Sequence, residues 1–293
     1  MYLSRIGYLK QAARNPSFGQ LQPQETSTET IKEFQSYSGT NVRGELDDEM
    51  QRTQSLPRCG VEDKGFRTET RSKRYANRGN FWTTKDLTYR IFKYPSRLYR
   101  NLTELALKKA FNLWSDVTPL TFTQMSSGPV NIEISFVWGY HHDATPFDGP
   151  GNILAHATSP FRGVSYVHFD DTENWTFNSY SGFNLFQVAA HEFGHALGLV
   201  HSYSLSDVMA SHYNGYRPDF KLHGGDIYAI QRIYGKRSEF QTFIPSRRPF
   251  KPSKRPRKEI KKGGKNGKSI MAFKMAIRGC VPRVREDWLV LLT

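Results

Sequence analysis

The chain has 293 residues, 38% of them hydrophobic and 14% aromatic, which is enough to bury a sizeable core and excludes a fully disordered protein. Two cysteines are too few for a disulfide scaffold, and no apolar run approaches the roughly 20 residues that cross a bilayer. The net charge of +14 comes almost entirely from residues 236–293, which hold 17 Lys and Arg against 4 Asp and Glu. The body is nearly neutral, so we expect no nucleic-acid partner.

Residues 1–74 are mostly polar and predict one amphipathic helix around residues 31–37. The segment ends in the basic run Arg-Ser-Lys-Arg at 71–74, which is similar to a furin-type processing site. A charge run alone is weak evidence, because most such runs are solvated surface. The position of this run, between the polar residues 1–74 (the leader) and the periodic residues 75–236 (the body), strengthens its interpretation as a processing site. A cut after Arg74 would make Tyr75 the first residue of the body.

Residues 75–236 carry the signals of a folded domain. Alternating apolar residues predict strands at 87–92 and 132–136, and apolar residues at helical spacing predict helices at 102–113 and 227–235. Because strands and helices both occur, the class is α/β or α+β.

Residues 237–293 mix Pro, Lys, Arg and Gly and predict a disordered basic tail. A passive linker is one interpretation of this tail. The other is electrostatic capture by sulfated glycans or an anionic surface.

The stretch 191–201 carries the strongest chemical signal in the chain. His191 and His195 are four residues apart, so on a helix their imidazoles share one face and can bind one metal ion. Glu192 beside them can handle the proton of a water molecule at that metal. Gly198 permits a sharp exit from the helix, which can bring His201 round as a third nitrogen ligand. Three protein ligands leave one position open, as in a catalytic zinc site.

Two other interpretations of these residues remain at this point. The histidines could be satisfied residues of an ordinary helix, although the full spacing makes this improbable. The chain could also be a metal-stabilised binding module without catalysis. Glu192 argues against that, because a binding module has no use for a proton-shuttling carboxylate there.

Several motifs in order make the chain similar to the matrix metalloproteinases, a metzincin family. Residues Pro57–Asp63 resemble the cysteine switch of the family, and Met209 follows His201 where the family has its Met-turn. Residues Leu222–Gly235 resemble the closing helix. The resemblance runs from about residue 1 to residue 236.

The resemblance implies an α+β metzincin catalytic domain, with a twisted, mostly parallel five-stranded sheet and about three helices. A small helical propeptide, residues 1–74, would precede the catalytic domain at 75–236, and the tail would occupy 237–293. The chain then resembles a minimal, matrilysin-like member without a hemopexin domain. The family further implies a secreted, extracellular zymogen, although no signal peptide is visible and Tyr2 onward resembles the start of a mature propeptide.

Cys59 is the predicted switch residue. A thiolate is a strong zinc ligand, so Cys59 could fill the open position and keep the enzyme latent. The competing interpretations are a buried apolar cysteine and a disulfide with Cys280. Arg58 and Gly60 flank Cys59 as the family motif requires, which favours the switch.

The family also implies further metal sites and a substrate pocket. A structural zinc would take three imidazoles and a carboxylate, from His141, Asp143, His156 and His168. At least one calcium would take side-chain and carbonyl oxygens, from Asp148, Gly149, Gly151, Ile153, Asp170 and Glu173. The pocket that receives the substrate side chain after the cut bond would be lined by Gln187 and Tyr213.

The expected function is therefore a zinc endopeptidase with Zn²⁺ at two sites, acting on extracellular matrix or other extracellular proteins. By family resemblance, its partners would include an activating furin-type protease and tissue inhibitors of metalloproteinases.

Overall fold

A computed structural model describes residues 2–8, 28–63 and 80–237. The predicted processing site at Arg74 and Tyr75, Cys280 and the predicted tail beyond residue 237 lie outside these ranges. Among the described residues, no helix has both the length and the hydrophobicity needed to cross a bilayer.

A six-stranded sheet forms the centre of the fold. In chain order its strands are β1 (Arg58–Cys59), β2 (Asp86–Lys93), β3 (Thr121–Gln124), β4 (Ile132–Val137), β5 (Ile153–Ala157) and β6 (Ser165–Asp170). Their order across the sheet is β1-β5-β6-β4-β2-β3, and every neighbouring pair is parallel except β5 with β6. The α+β class and the mostly parallel sheet are confirmed. The predicted five strands lie in the body, and the leader adds β1 as a sixth.

Two shorter strands, β7 (Trp175–Thr176) and β8 (Phe183–Asn184), form a separate parallel pair. The body has three helices within its described residues, as predicted: α4 (Arg100–Ser115), α5 (Leu185–Ala196) and α6 (Gly224–Tyr234). The leader has α1 (Tyr2–Arg5), α2 (Thr28–Ser38) and α3 (Asp48–Gln54). The sequence predicted α2 but neither α1 nor α3.

The main core lies between the sheet and the pair α4 and α5. The predicted alternation in β2 is observed, since Leu87, Tyr89 and Ile91 are buried. Phe111 of α4 stacks on Phe193 of α5 with ring centroids 3.8 Å apart. Helix α5 also packs against β5 and β6, the strands that carry His156 and His168.

The leader has a hydrophobic cluster of its own. Its buried members are Leu3, Ile6, Tyr8, Ile31, Phe34, Tyr37 and Met50. Tyr37 also packs edge-to-face on Tyr203 of the body, with centroids 5.0 Å apart. The three leader helices therefore form a small folded unit that contacts the body.

Candidate metal centre and substrate groove

Helix α5 carries the first two predicted metal ligands and the predicted base. It begins at an Asn184 cap, whose side-chain oxygen accepts a hydrogen bond from the backbone N–H of Gln187 at 3.2 Å. The helix is buried along almost its whole length, so His191, Glu192 and His195 are all removed from solvent. The two histidine rings share one face of the helix, and their Nε2 atoms lie 3.1 Å apart.

The chain turns sharply after α5 and returns a third imidazole. Gly198 has a φ of 95°, and a Cβ there would lie 2.7 Å from the carbonyl oxygen of Asn80, so this position requires glycine. The hydroxyl of Tyr234 donates to the Leu197 carbonyl at 2.8 Å and satisfies part of the helix end. After this turn, the His201 ring centroid lies 5.2 and 4.7 Å from those of the two helix histidines.

The three imidazoles and the Cys59 thiol form a buried cluster of four donors. One ligand atom from each residue lies within 4.8 Å of the others. The Nδ1 atoms of His191 and His195 face the backbone carbonyls of Val208 and Leu199 at 2.7 and 2.9 Å, which leaves each Nε2 directed to the cluster. Three imidazoles with one thiol are a donor set that zinc prefers, so these residues fit the metal.

The predicted Met-turn lies against α5 between the two helix histidines. A Cβ on Gly194 would overlap the Met209 sulfur and lie 3.0 Å from Cζ2 of Trp114. The turn is anchored by Asp226 of α6, whose carboxylate accepts from the backbone N–H groups of Val208 and Met209 at 2.9 and 3.1 Å. Only a residue without a side chain fits at position 194 in this arrangement.

The Glu192 carboxylate lies beside the Cys59 thiol in the buried centre. Burial raises the pKa of Glu192 to about 8, and the nearby Cys59 thiol opposes that rise. Burial also raises the pKa of Cys59, and the negative charge of Glu192 adds to the effect. A divalent cation at the cluster would favour the thiolate, because the positive charge of Arg58 lowers the pKa of Cys59 by less than burial and Glu192 raise it.

The leader strand β1 hydrogen bonds with the body on both sides. On one side, the backbone N–H of Gly60 donates to the carbonyl of Ala155 in β5 at 2.8 Å. On the other side, the N–H of Cys59 donates to the carbonyl of Ser211 at 2.9 Å. The leader thus fills an extended groove between the edge of β5 and residues 211–213, directly over the four-donor cluster.

A buried ion pair in the leader also reaches the cluster. Arg58 donates from Nη2 to Oδ1 of Asp63, and both side chains are inaccessible to solvent. Burial raises the pKa of Asp63, and the charge of Arg58 opposes that rise. The same Asp63 oxygen lies 3.0 Å from Nδ1 of His201. The leader therefore supplies two groups to the first cluster. The Cys59 thiol is a candidate ligand, and the Asp63 carboxylate is a partner of the candidate ligand His201.

The four residues predicted for a structural zinc form a second cluster. His156 of β5 and His168 of β6 are cross-strand partners, which places their rings together. Asp143 Oδ2 lies 2.9 to 3.0 Å from one ring nitrogen each of His141, His156 and His168. The ring nitrogen of His156 lies 3.4 Å from that of His141 and 3.2 Å from that of His168. Four ligand atoms at the corners of a tetrahedron, each about 2.0 Å from a zinc ion, would be roughly 3.3 Å apart, so the observed distances are close to those of a zinc site.

The charge balance of this second cluster also fits a cation. Burial opposes ionisation of Asp143, but hydrogen bonds from His156 and from the Thr145 backbone N–H outweigh it and lower the pKa of Asp143. Burial lowers the pKa of His168 to about 4, and the charge of His156 adds to that shift. A neutral imidazole at His168 and an ionised carboxylate at Asp143 are the forms in which these groups bind a metal ion.

The predicted calcium ligands lie near one another but do not form a cluster as compact as the other two within the described residues. Burial raises the pKa of Glu173 to about 7, and the negative charge of Asp170 adds to this rise. The Gly151 N–H donates to the Glu173 carboxylate at 2.7 Å and opposes the rise. Asp170 Oδ2 is buried without a hydrogen-bond partner among the described residues. Asp148 instead accepts from Arg5 of the leader at 3.1 Å. The uncompensated carboxylates fit a cation.

The two predicted pocket residues line one cavity together with His191 and Glu192. Gln187 joins α5 to the loop opposite: its Nε2 donates to the carbonyl of Gly215 at 3.0 Å, and its Oε1 accepts from the backbone N–H of Arg217 at 2.6 Å. The hydroxyl of Tyr213 accepts from the backbone N–H of Asn184 at 3.1 Å. Gln187 therefore fixes the wall of the cavity rather than only lining it.

Comparison with known proteins identifies the family. A family model described as Matrixin, Peptidase_M10, matches residues 81–235, which is more than half of the chain. The chain belongs to the matrixin family. Matrixins are zinc enzymes, and the matched region contains all three histidines of the first cluster and all four residues of the second.

Curated relatives extend the similarity into the leader. Over 256 residues the chain is 42% identical to matrix metalloproteinase-19 of Homo sapiens, covering 85% of this chain and 49% of that protein. It is 46% identical to interstitial collagenase of Bos taurus over 209 residues (71% and 43%) and to matrix metalloproteinase-18 of Xenopus laevis over 214 residues (72% and 44%). The chain thus spans about half the length of these relatives.

Two residues at the site were not identified from the sequence. The first is Asp226, which anchors the Met209 turn. Its position in the first turn of α6, where acidic residues are favoured, was the one sequence signal that could have identified it. Asp63 ended the predicted switch motif, but its contact with His201 spans 138 residues and has no local signal.

Proposed function

We propose that this matrixin is the latent form of a secreted zinc endopeptidase. The observation that carries the proposal is the buried cluster of His191, His195, His201 and Cys59 with Glu192 beside it. The three imidazoles would hold a catalytic zinc, and Cys59 would be its fourth ligand while the leader is in place.

Zinc bound there would supply a Lewis acid that polarises the carbonyl of the peptide bond to be cut. Glu192 would accept a proton from the attacking water and return it to the leaving amine nitrogen. The water oxygen would add to the carbonyl carbon first, and the carbon–nitrogen bond would break once the amine nitrogen is protonated, so no covalent intermediate with the protein is needed.

The substrates would be extended segments of extracellular matrix or other extracellular proteins. A peptide could use the backbone groups of Ala155 and Ser211 that the leader now occupies. The side chain after the cut bond would enter the cavity lined by Gln187 and Tyr213. Tissue inhibitors of metalloproteinases would bind in the same groove.

Activation would follow from removal of the leader. A furin-type protease would cut between Arg74 and Tyr75, separating the propeptide at 1–74 from the catalytic domain at 75–236. The thiol would then leave the metal together with β1, because both belong to the removed segment.

The remaining metal sites would stabilise the fold. His141, Asp143, His156 and His168 would hold a structural zinc with no open position. Calcium would bind Asp148, Asp170 and Glu173 with the carbonyls of Gly149, Gly151 and Ile153. The tail at 237–293 would bind sulfated glycans by charge and concentrate the enzyme outside the cell.

The test compares the parent chain, Glu192→Gln and Glu133→Gln after treatment with a furin-type protease. The parent and Glu133→Gln should cleave a fluorogenic peptide, and a zinc chelator should abolish this. Glu192→Gln should keep its zinc but lose a factor of about 10²–10⁴ in rate. Parent-like cleavage by Glu192→Gln, or cleavage that resists the chelator, would contradict the proposal.

A further inference from the structure

The three candidate zinc ligands of the first cluster are not supported in the same way. His191 and His195 each direct Nδ1 to a backbone carbonyl of the body, at 2.7 and 2.9 Å. His201 directs Nδ1 to the side chain of Asp63 in the leader, at 3.0 Å, with both side chains fully buried. One ligand therefore takes its partner from a segment that activation would remove.

The Asp63 carboxylate is held in place by its surroundings. Arg58 donates to it and supplies the counter-charge that a buried carboxylate requires. Arg58 is itself fixed, because its Nε donates to the Cys59 carbonyl at 3.0 Å and its Nη1 to the Tyr2 hydroxyl at 3.2 Å. The backbone N–H of Asp63 donates to the carbonyl of Ile6 at 3.0 Å. The carboxylate is thus preorganised opposite His201.

We infer that Asp63 is a positioning residue for His201, and that the leader strengthens metal binding through this carboxylate separately from the Cys59 thiol. Histidine ligands usually donate their second N–H to a carboxylate or carbonyl, which fixes the ring and raises its basicity. Loss of such a partner typically lowers metal affinity 10- to 100-fold. The latent chain should therefore hold its catalytic zinc more tightly than the thiol alone explains.

This inference rests on the proposed zinc site, and the experiment separates the two. The full chain is prepared as Cys59→Ser, to remove the thiol, and as Cys59→Ser with Asp63→Asn. A matched control, Cys59→Ser with Glu62→Gln, removes a neighbouring charge from an exposed side chain. Zinc affinity is measured by equilibrium competition with a chromogenic chelator. The second metal cluster serves as an internal reference, because none of its four donors is among the described contacts of Asp63.

Asp63→Asn should weaken one of the two zinc sites 10- to 100-fold, and Glu62→Gln should change neither site by more than twofold. Equal affinities for Asp63→Asn and its Cys59→Ser parent would overturn the inference but not the zinc site. Absence of zinc from the first cluster in every variant would instead overturn the proposed function.

A second measurement has a refuting outcome that is read in a chain that keeps Asp63, so that outcome does not depend on how Asp63→Asn folds. In the zinc-loaded parent chain, which keeps Cys59, a His201 Nδ1–H bonded to a buried carboxylate should give a far-downfield proton resonance in the NMR spectrum of histidine-labelled protein. Asp63→Asn should move that resonance upfield. A His201 N–H resonance at the position of a solvent-exposed imidazole, with Asp63 present, would overturn the inference.

Discussion

Replacement of Gly194 by alanine tests how closely α5 packs on the turn below the metal site. The added methyl group would overlap the Met209 sulfur and come within 3.0 Å of the Trp114 ring. Both side chains are buried, so neither can move into solvent. The variant should fold with α5 displaced from the turn, and with it the two histidines that flank position 194.

The expected loss of stability is the difference between two effects. Overpacking a filled core costs about 1–3 kcal/mol. Alanine gains about 1 kcal/mol over glycine in the interior of a helix. The net destabilisation is therefore about 0–2 kcal/mol, which lowers the melting temperature of a domain of this size by up to about 8 °C. Zinc content should fall in parallel.

The matched control is Gly224→Ala in the first turn of α6, where nothing lies within 4 Å of the added Cβ. Its melting temperature should equal or exceed that of the parent. Calorimetry on Gly194→Ala, Met209→Ala and the double variant then gives the coupling between the two sites. A steric cause requires the double variant to be about 0.5–3 kcal/mol more stable than the sum of the single changes. Gly194→Ala melting above the parent, with no coupling, would refute this reasoning.

Two further changes test contacts of the leader. Cys59→Ser in the full chain should hydrolyse a fluorogenic peptide without prior cleavage, because a hydroxyl is a poor zinc ligand; latency equal to that of the parent would show that the thiol is not the block. Arg5→Ala should raise calcium affinity about 1.4- to 5-fold, since Arg5 competes for Asp148 through a partly exposed pair worth about 0.2–1 kcal/mol. Isothermal titration with Ca²⁺ measures this, and an affinity equal to the parent's would mean that Arg5 and calcium do not compete.

The three histidines of the first cluster could be predicted from the sequence because their geometry is local, whereas Cys59 was predicted from the family resemblance. His191 and His195 are one helical turn apart, and Gly198 permits the turn that returns His201. These relations follow from the helix period and from the conformational freedom of glycine. They require no knowledge of the rest of the fold.

The second cluster is different, because its residues come from a loop and from two strands. His156 and His168 meet through the antiparallel register of β5 and β6, and that register cannot be derived from spacing along the chain. Family resemblance supplied the four ligands. Physical reasoning from the residues alone would have found four separate polar side chains.

The groups that hydrogen bond with the candidate ligands could be predicted neither from spacing along the chain nor from family resemblance. Val208 and Leu199 act through backbone carbonyls, which carry no side-chain signal.

The helices α1 and α3 were missed because they have four and seven residues, too few to show a 3.6-residue period. Short elements of this kind are stabilised by tertiary packing rather than by their own sequence.

The hold of the leader on the groove cannot come from β1 alone. Residues 57–60 of the leader make at least four backbone hydrogen bonds with the groove, and each contributes about 0.5–1.5 kcal/mol. That sum is comparable to the entropy cost of ordering those four residues, about 1–2 kcal/mol each. The remaining stabilisation would come from the proposed metal–thiol bond, from the contacts of Arg5 and Asp63 with the body, and from the leader cluster around Phe34, which reaches Tyr203 through Tyr37. The proposed latency would therefore be coupled to folding of the leader, and damage to that cluster should open the groove even where the switch motif is unchanged.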